Sequence, residues 1–292
     1  EAVETALKAI RKWAYTVKGI PENKAEIIVS ANNFHGRTIT IVSFSTEDQY
    51  KEGFGPFTPG FKTIPYGDLD ALKEAINENT AAFFTEPIQG EGGIVVPPEG
   101  FLKQAKELCE KHNILFAVDE IQTGLARTGK MFAFEHEGID PDIIVIGKAL
   151  GGGVYPVSAM ACDNHIMDVF KPGDHGSTFG GNPLAAAIGI RSLELIEELD
   201  LINQSHEKGE YFRNELRKIN HPQFKDIRGK GLLIGLELKD GEKTAHDYCE
   251  ELMDEGVLCK DTHHTVIRFA PPLVITKEEM DFALDKIRKV FQ

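Results

Sequence analysis

The sequence is poor in cysteine and in basic residues, and both shortages limit what the protein can be. Its four cysteines show neither Cys-x-x-Cys nor Cys/His zinc spacing, so packing cysteines in a reducing cytoplasm are expected. Its 32 lysines and arginines are outnumbered by 46 aspartates and glutamates, and the net charge of −14 argues against nucleic acid or an anionic membrane surface as partner. No apolar run approaches the roughly 20 residues of a membrane helix.

The chain opens directly in a helical pattern. Val3, Leu7, Ile10 and Val17 recur at helical spacing, and the first residue, Glu1, is neither a methionine nor preceded by a cap. We therefore expect that sequence upstream of Glu1, with any targeting peptide in it, is missing from this chain.

Apolar runs and amphipathic stretches alternate through the first two thirds of the chain. Short β-branched runs predict strands, and longer stretches with helical periodicity predict helices. The predicted strands cover residues 26–30, 38–44, 81–86, 114–119, 143–147 and 157–162, and the predicted helices cover 69–77, 98–112 and 182–199. This alternation indicates right-handed crossovers and an α/β domain with a mainly parallel sheet.

The pattern changes near residue 195, where we place a domain boundary. Strands are predicted at 230–238 and 265–269, on either side of a helix at 243–255. The last helix has a capping box, with Thr276 three residues before Glu279. The sequence thus predicts a large domain over residues 1–195 and a smaller α+β domain over residues 196–292.

An acid and an amine stand at the ends of two predicted strands. Asp119 closes the run that starts at Ile114, and Lys148 follows the run that starts at Ile143. Ligands of open α/β sheets bind just past the carboxyl ends of the strands, so both groups are expected at the same edge of the sheet. A lysine that forms a Schiff base and an acid that keeps a pyridine nitrogen protonated are what pyridoxal 5'-phosphate (PLP) chemistry needs.

Two glycine motifs point at first to other ligands. Residues 124–130 fit the G-x-x-x-x-G-K start of a P-loop, but Met131 stands where a Ser or Thr must bind Mg²⁺. Residues 229–235 lead from glycines into a strand, whereas a dinucleotide fingerprint leads into a helix. A nucleotide triphosphatase and a Rossmann oxidoreductase are therefore disfavoured.

The surroundings of Asp119 and Lys148 carry a stronger signal. Residues 119–130 and 141–153 resemble the signature of the class III, or ω-amino acid, aminotransferases, and further similar segments lie at 33–38, 50–56, 86–91 and 265–272. The resemblance covers essentially the whole chain. It implies PLP fold type I: an α/β large domain with a mostly parallel, seven-stranded-type sheet flanked by helices, and a smaller C-terminal α+β domain. It also implies a homodimer with shared active sites.

The same resemblance implies two catalytic residues and a set of cofactor contacts. Lys148 would form the Schiff base and move the reacting proton, while Asp119 would pair with the pyridinium nitrogen. Gln122 would reach the phenolic oxygen of the ring, with Glu86 supporting it. The implied cofactor-binding residues are Phe34, Glu86, Asp119, Ile121, Gln122, Lys148, Ser177 and Thr178.

Ser177 and Thr178 stand in a glycine-rich turn before a helix, where backbone and hydroxyl donors suit a phosphate. In the family this turn reaches the cofactor of the neighbouring subunit. Ile121 and Phe34 would cover opposite faces of the ring. A second phosphate-binding turn is expected immediately before Glu1.

Three charged residues are implied in substrate binding. Arg268, an isolated arginine in an apolar strand, would hold the α-carboxylate of glutamate or 2-oxoglutarate with a bidentate fork. Glu91 would mask Arg268 when ornithine is bound, so that the δ-amine is presented and not the α-amine. Arg37 would bind the other carboxylate of each substrate.

The implied activity is transfer of the δ-amine of L-ornithine to 2-oxoglutarate, which yields glutamate 5-semialdehyde and glutamate. N-acetylornithine and 4-aminobutyrate stay open as amine donors, because family members acting on them share most of these residues. A PLP racemase, aminomutase or decarboxylase of the same fold, and a truncated non-catalytic homologue, are further alternatives. No metal site, nucleic acid or membrane partner is expected.

Overall fold

The computed structural model describes residues 1–292, and the chain divides into two compact units. The first unit consists of Glu1–Pro87, Pro97–Gln122 and Phe134–Leu193. The second consists of Ile88–Val96, Thr123–Ala133 and Glu194–Gln292. Two short segments therefore belong to the second unit although their neighbours in sequence belong to the first. No helix combines the length and the apolar character that crossing a bilayer requires.

A six-stranded sheet forms the centre of the first unit. Its strands are β1 (Glu26–Ser30), β2 (Phe61–Ile64), β3 (Thr80–Thr85), β4 (Leu115–Asp119), β5 (Ile143–Ile146) and β6 (Ala159–Cys162). The spatial order is β2-β1-β3-β4-β5-β6, and all pairs are parallel except β5 with β6. The prediction of a mostly parallel sheet is confirmed, with six strands where a seven-stranded type was expected.

Helices surround this sheet because its central strands are apolar on both faces. The helices are α1 (Ala2–Trp13), α2 (Ile39–Ser43), α3 (Asp48–Lys51), α4 (Leu69–Ala75), α5 (Phe101–Lys111), α6 (Asn164–Met167) and α7 (Pro183–Glu198). Every side chain of β3 and β4 is buried, as the continuous apolar runs predict. On one side, Leu7, Ile10 and Trp13 of α1 share a core with Ile27 and Phe84.

The strand predicted over residues 38–44 is wrong, because Ile39–Ser43 form the short helix α2. A β-branched run favours a strand by local propensity, but such propensity is weak and context-dependent. Thr38 is extended at the helix N-cap, and the adjacent Ile41 and Val42 are both buried in the core. A strand would turn two adjacent side chains to opposite faces, so the helix buries more apolar surface here. The edge strand β2, which follows in the chain, was not predicted.

The second unit is an antiparallel sheet with three helices. Its strands β7 (Phe224–Lys230), β8 (Leu233–Leu238), β9 (Lys260–Thr262) and β10 (Val266–Phe269) are arranged in the order β7-β8-β10-β9. Its helices are α8 (Leu201–Ile219), α9 (Ala245–Asp254) and α10 (Lys277–Val290). The predicted capping box is confirmed: the N–H of Thr276 donates to the Glu279 carboxylate at 2.8 Å, and the N–H of Glu279 donates to Thr276 Oγ1 at 3.2 Å.

Gly129 and Gly231, which belong to the nucleotide-like motifs, and Gly209 of α8 bring backbones of the second unit into close contact. A Cβ on Gly209 of α8 would lie 1.9 Å from the carbonyl oxygen of Gly231, and a Cβ on Gly231 would lie 2.4 Å from the carbonyl carbon of Thr128. A Cβ on Gly129 would lie 3.0 Å from the Cα of His206. Glycine is required at these positions because no side chain fits between the backbones.

Gly209→Ala is therefore expected to destabilise the folded chain by about 3 kcal/mol, because the added methyl group forces the backbone apart. Guanidinium unfolding followed by circular dichroism measures the change. Gly189→Ala in α7 is the matched control, since its new Cβ would meet Leu150 at an ordinary 3.7 Å. Equal stability of the two variants would contradict the packing described here.

Candidate active site

β4 and β5 bring an acid and an amine to one edge of the sheet in the first unit. Asp119 is the last residue of β4, is in register with Val145 of β5 and is only 4% exposed. Lys148 follows β5 after Gly147 and is exposed to solvent. Parallel neighbours deliver their carboxyl ends to the same edge, so both residues lie at one edge of the sheet, after adjacent strands.

A buried histidine holds the carboxylate. His35 Nδ1 lies 2.7 Å from Asp119 Oδ2, and the side chains are 0% and 4% exposed. The backbone N–H of Ile121 donates to Asp119 Oδ1 at 2.9 Å. The His35 ring packs against Phe84, with the ring centroids 4.3 Å apart. Two donors therefore fix the orientation of a carboxylate that is withdrawn from water.

The geometry assigns one tautomer to His35, a residue that sequence reasoning missed. Its Nε2 is buried and has no hydrogen-bond partner, so a proton there would be a buried donor without an acceptor. The proton belongs on Nδ1, where it is donated to Asp119. The available signal was a histidine shortly after β1, in the family-like residues 33–38. A single histidine among apolar residues more often indicates a core position.

Lys148 occupies a strained backbone position at the start of a 3-10 turn, Lys148–Gly151. Its φ is +45°, in the left-handed region that non-glycine residues rarely adopt. Gly147 is tightly enclosed, since a Cβ there would lie 3.3 Å from Ser158 Cβ and 3.4 Å from Ile121 Cγ1. Ile121 thus contacts the acid through its N–H and the turn carrying the amine through its side chain. Such strain is concentrated at functional sites.

A cleft of about 450 Å³ opens beside Lys148. Ser177 lines it, and so do Glu1, the N-cap of α1, and Ala185 in the first turn of α7. Thr178 is exposed next to Ser177. The N-terminus of α7 carries partial positive charge, to which the lysine amine and the serine hydroxyl add hydrogen-bond donors. The cleft is therefore suited to an anionic group such as a phosphate.

Phe34, Glu86 and Arg37 form a second cluster in the first unit. The N–H of Phe34 donates to Glu86 Oε1 at 2.9 Å, and Glu86 is buried at the end of β3. The Arg37 guanidinium lies over the ring of Tyr50, 4.2 Å from its centroid, and 5.6 Å from that of Phe34. Glu86 thus anchors the Phe34 backbone, a contact that the motif did not indicate. Gln122 is half-buried in the turn after β4.

The second unit contains the remaining two predicted residues as an ion pair. Arg268 lies in β10, and its Nη1 donates to Glu91 Oε1 at 2.5 Å. Their side chains are 15% and 24% exposed, so water screens the pair only in part. Charge-assisted bonds between a guanidinium and a carboxylate are stronger than hydrogen bonds between neutral groups. An external carboxylate must therefore compete with Glu91 for Arg268.

Comparison with known proteins establishes the family. The family described as Aminotransferase class-III matches residues 1–291. The chain belongs to the class-III aminotransferases, as the signature-like residues 119–130 and 141–153 indicated. The prediction of a PLP-dependent transaminase is thereby confirmed.

Individual relatives agree with this placement. The ornithine aminotransferase of Brevibacillus brevis is 60% identical over 290 residues, which are 99% of this chain and 72% of the relative. The ornithine aminotransferase of Toxoplasma gondii, whose structure has partial occupancy of PLP at its active site, matches with a TM-score of 0.97 and 49% identity, over 99% of this chain and 70% of that one. The acetylornithine aminotransferase of Elizabethkingia anophelis matches with a TM-score of 0.87 and 47% identity, over 99% and 71%. The predicted fold class is confirmed.

The residues of the first unit fit PLP, the cofactor of this family. PLP carries a ring nitrogen, an aldehyde and a phosphate, and the unit offers a buried carboxylate, a lysine amine and an anion-binding cleft. Each oxygen of Asp119 receives one hydrogen bond, from His35 or from the Ile121 N–H. Since a carboxylate oxygen has two lone pairs, Asp119 can accept a further N–H without releasing His35.

His35→Leu is expected to weaken PLP binding by about ten- to a hundredfold, the effect of losing one hydrogen bond to a charged group. Titration with PLP, followed by the visible absorbance of the bound cofactor, measures the affinity. His35→Asn keeps a side-chain donor and is expected to restore part of it. His165→Leu, at an exposed position of α6, is the control. Unchanged affinity in His35→Leu would show that the histidine does not position Asp119.

Proposed function

We propose that this chain is an ornithine δ-aminotransferase. It transfers the δ-amine of L-ornithine to 2-oxoglutarate and forms glutamate 5-semialdehyde, which cyclises, and glutamate. The observation that carries the proposal is the Glu91–Arg268 pair, because an enzyme that alternates between a basic and a dicarboxylic substrate needs a cation that can be masked. The relatives from Brevibacillus brevis and Toxoplasma gondii, both ornithine aminotransferases, support the assignment.

Lys148 and Asp119 are proposed as the catalytic residues. When bound, PLP supplies a carbonyl that captures amines and a ring that withdraws electrons. Asp119 keeps the ring nitrogen protonated, and His35 holds the carboxylate in place for this task. The Lys148 amine would move the reacting proton, acting first as a base and then as an acid. Lys148 lines the same cleft as Ser177.

The proposed cofactor contacts come from turns that follow the strands. Ile121 and Phe34 cover the two ring faces, and Gln122 donates to the phenolic oxygen. Glu86 contributes by holding the Phe34 backbone through a hydrogen bond of 2.9 Å, in addition to the support for Gln122 that the resemblance implies. A rigid frame of this kind keeps the ring in the orientation that proton transfer requires.

Ser177 and Thr178 are proposed to bind the phosphate of a neighbouring subunit's cofactor, in a homodimer with shared active sites. Exposed apolar side chains of the first unit, among them Phe179 in the lining of the cleft, support a subunit interface. Val154, Phe179 and Ile190 are 76%, 78% and 58% exposed. Large apolar groups clustered on one surface are typical of association sites.

We also propose the domain division at residue 195 and a cytoplasmic location. The chain leaves the first unit after Leu193, which supports a boundary there between a large and a small domain. All four cysteines are free thiols, which suits a reducing compartment.

Arg268, Glu91 and Arg37 are proposed to select the substrate. With glutamate or 2-oxoglutarate, Arg268 binds the α-carboxylate and Glu91 turns away. With ornithine, Glu91 stays paired, the α-carboxylate is left to Arg37, and the δ-amine is presented. The Arg37 guanidinium is exposed and stacks on Tyr50, which leaves its edge available for a carboxylate.

A substrate panel tests the proposed function. L-ornithine, N-acetylornithine and 4-aminobutyrate are each supplied with 2-oxoglutarate and PLP, and formation of glutamate is measured. We expect kcat/KM for ornithine to exceed the others by at least about tenfold, the effect of one hydrogen bond to a charged group. Lys148→Ala is expected to lose at least about 10³-fold in turnover.

Other results would favour one of the alternative functions. Preference for N-acetylornithine or 4-aminobutyrate would replace the proposed substrate. Turnover of an amino acid without any transfer to 2-oxoglutarate would indicate a racemase, aminomutase or decarboxylase. If the absorbance titration with PLP shows no bound cofactor, the chain would be a non-catalytic homologue.

Glu91→Ala is expected to lower kcat/KM for ornithine by about tenfold or more and to leave that for glutamate unchanged or higher, because Arg268 loses its internal partner. It is also expected to divert ornithine towards α-transamination. Product analysis separates the cyclic imine of δ-transfer from the 2-oxo acid of α-transfer. Glu99→Ala, at an exposed position before α5, is the control. Unchanged regiospecificity would remove the masking role of Glu91.

A further inference from the structure

Glu91 is carried by a tight loop, residues 89–95. Gln89 and Val95 close the loop as an antiparallel bridge, with N···O distances of 3.0 Å in both directions. Inside it, the N–H groups of Gly93 and Ile94 donate to the carbonyl oxygen of Gly90 at 3.2 and 3.3 Å. The backbone on both sides of Glu91 is thus joined into one turn.

Ile94 gives this loop a strained backbone. Its φ of +52° is a left-handed value that a β-branched residue rarely adopts. Its side chain is fully buried with Ile88 and Leu233. A Cβ on Gly235 of β8 would lie 3.0 Å from the Cβ of Ile94, so the loop rests directly on that glycine. Strained conformations persist only where the surroundings enforce them.

Arg228 of β7 enforces this conformation from the side. Its Nη2 donates to the carbonyl oxygen of Gly93 at 2.8 Å, and its Nε donates to that of Ile94 at 2.9 Å. The other terminal nitrogen is held by Asp226 at 3.1 Å and by Glu237. The guanidinium therefore joins two loop carbonyls to two carboxylates, a planar arrangement that a lysine ammonium cannot reproduce.

The sheet register places this contact in one row with Arg268. Gly235 of β8 is in register with Arg228 of β7 on one side and with Arg268 of β10 on the other. Residues in register on neighbouring strands share a face of the sheet. The loop that covers Gly235 thus lies between two arginines, one of which binds its backbone while the other binds the Glu91 carboxylate.

Glu237 keeps its charge in this arrangement. Burial raises the pKa of its carboxyl, but hydrogen bonds from Lys225 and Arg228 outweigh burial, and the pKa is lowered from its ordinary value. The carboxylate that anchors Arg228 is consequently ionised throughout the neutral range.

We propose that Arg228 is a positioning residue that sets the choice between the two substrates. By fixing residues 89–95 over Gly235, it keeps the Glu91 carboxylate within reach of Arg268. Only the Glu91 side chain then has to rotate when a dicarboxylate binds, and its return costs little conformational entropy. This inference rests on the proposed ornithine activity, because it concerns the masking of Arg268.

Arg228→Lys tests the proposal. The lysine keeps the positive charge near Glu237 but loses the fork to Gly93 and Ile94. The two half-reactions of the PLP-loaded enzyme are measured separately, with ornithine alone and with glutamate alone, by the change in visible absorbance. We expect kcat/KM for ornithine to fall roughly five- to tenfold and that for glutamate to stay unchanged or rise.

Three further variants separate positioning from general damage. Arg217→Lys is the matched control, because Arg217 also donates to a backbone carbonyl, in its case that of Ile227 in β7 at 3.2 Å, and is not bonded to the loop. It is expected to leave the ratio of the two half-reactions unchanged. Glu91→Ala is the reference variant, because it lacks the carboxylate that is proposed to mask Arg268. The double variant Glu91→Ala/Arg228→Lys is expected to match Glu91→Ala alone, because Arg228 acts through Glu91.

The possible outcomes distinguish failure of the positioning role of Arg228 from failure of the proposed function. Parallel loss of both half-reactions in Arg228→Lys, or additive effects in the double variant, would overturn the positioning role. A changed ratio in Glu91→Ala with an unchanged ratio in Arg228→Lys would overturn it and leave the proposed function standing. If the wild-type chain reacts with glutamate but not with ornithine, the proposed function fails. If Glu91→Ala does not change the ratio of kcat/KM for ornithine to that for glutamate, the masking role of Glu91 fails. In both cases the positioning role of Arg228 fails as well.

Discussion

The first unit depends on holding one carboxylate in a fixed orientation where water hardly reaches it. Asp119 is tolerated at the end of a buried strand because His35 and the Ile121 N–H donate to it. These donors come from different segments, one after β1 and one after β4, so the parallel order of the sheet is what brings them together. The same order places Lys148 after the neighbouring strand. The fixed orientation of the Asp119 carboxylate and the topology of the sheet are therefore two aspects of one arrangement.

The second unit solves a different electrostatic problem with related means. Arg268 is a cation in an apolar strand, and it is partnered by Glu91 from a loop that lies far away in the sequence. In the first unit the partners of the carboxylate are fixed, whereas the proposed substrate switch requires that the partner of Arg268 can leave. A side chain that moves on a fixed backbone meets both demands, because the pair reforms without ordering a new segment. Arg228, which is bonded to that backbone, belongs to the same solution.

The sequence predicted those features that follow from buried strands and from motifs with a chemical reason. Asp119 and Lys148 could be placed because uniformly apolar runs end at them, and Glu91 and Arg268 could be paired through a family resemblance. Residues 38–44 were misassigned because a β-branched run is compatible with a strand until its packing is known. His35 and Arg228 were missed for a common reason. Each acts through another residue, and such roles depend on distances between segments that no local pattern records.

The left-handed backbone at Lys148 lowers the stability of the fold, while the side chain at the same position supplies the proposed reactive amine. Glycine adopts a φ of +45° without strain, so a glycine at this position would relieve roughly 1 kcal/mol while removing the amine. A laboratory selection for heat resistance alone would therefore not preserve the proposed reactive group. Screens that improve this chain for use at high temperature need a simultaneous test of turnover, because the version of this turn without backbone strain lacks the amine.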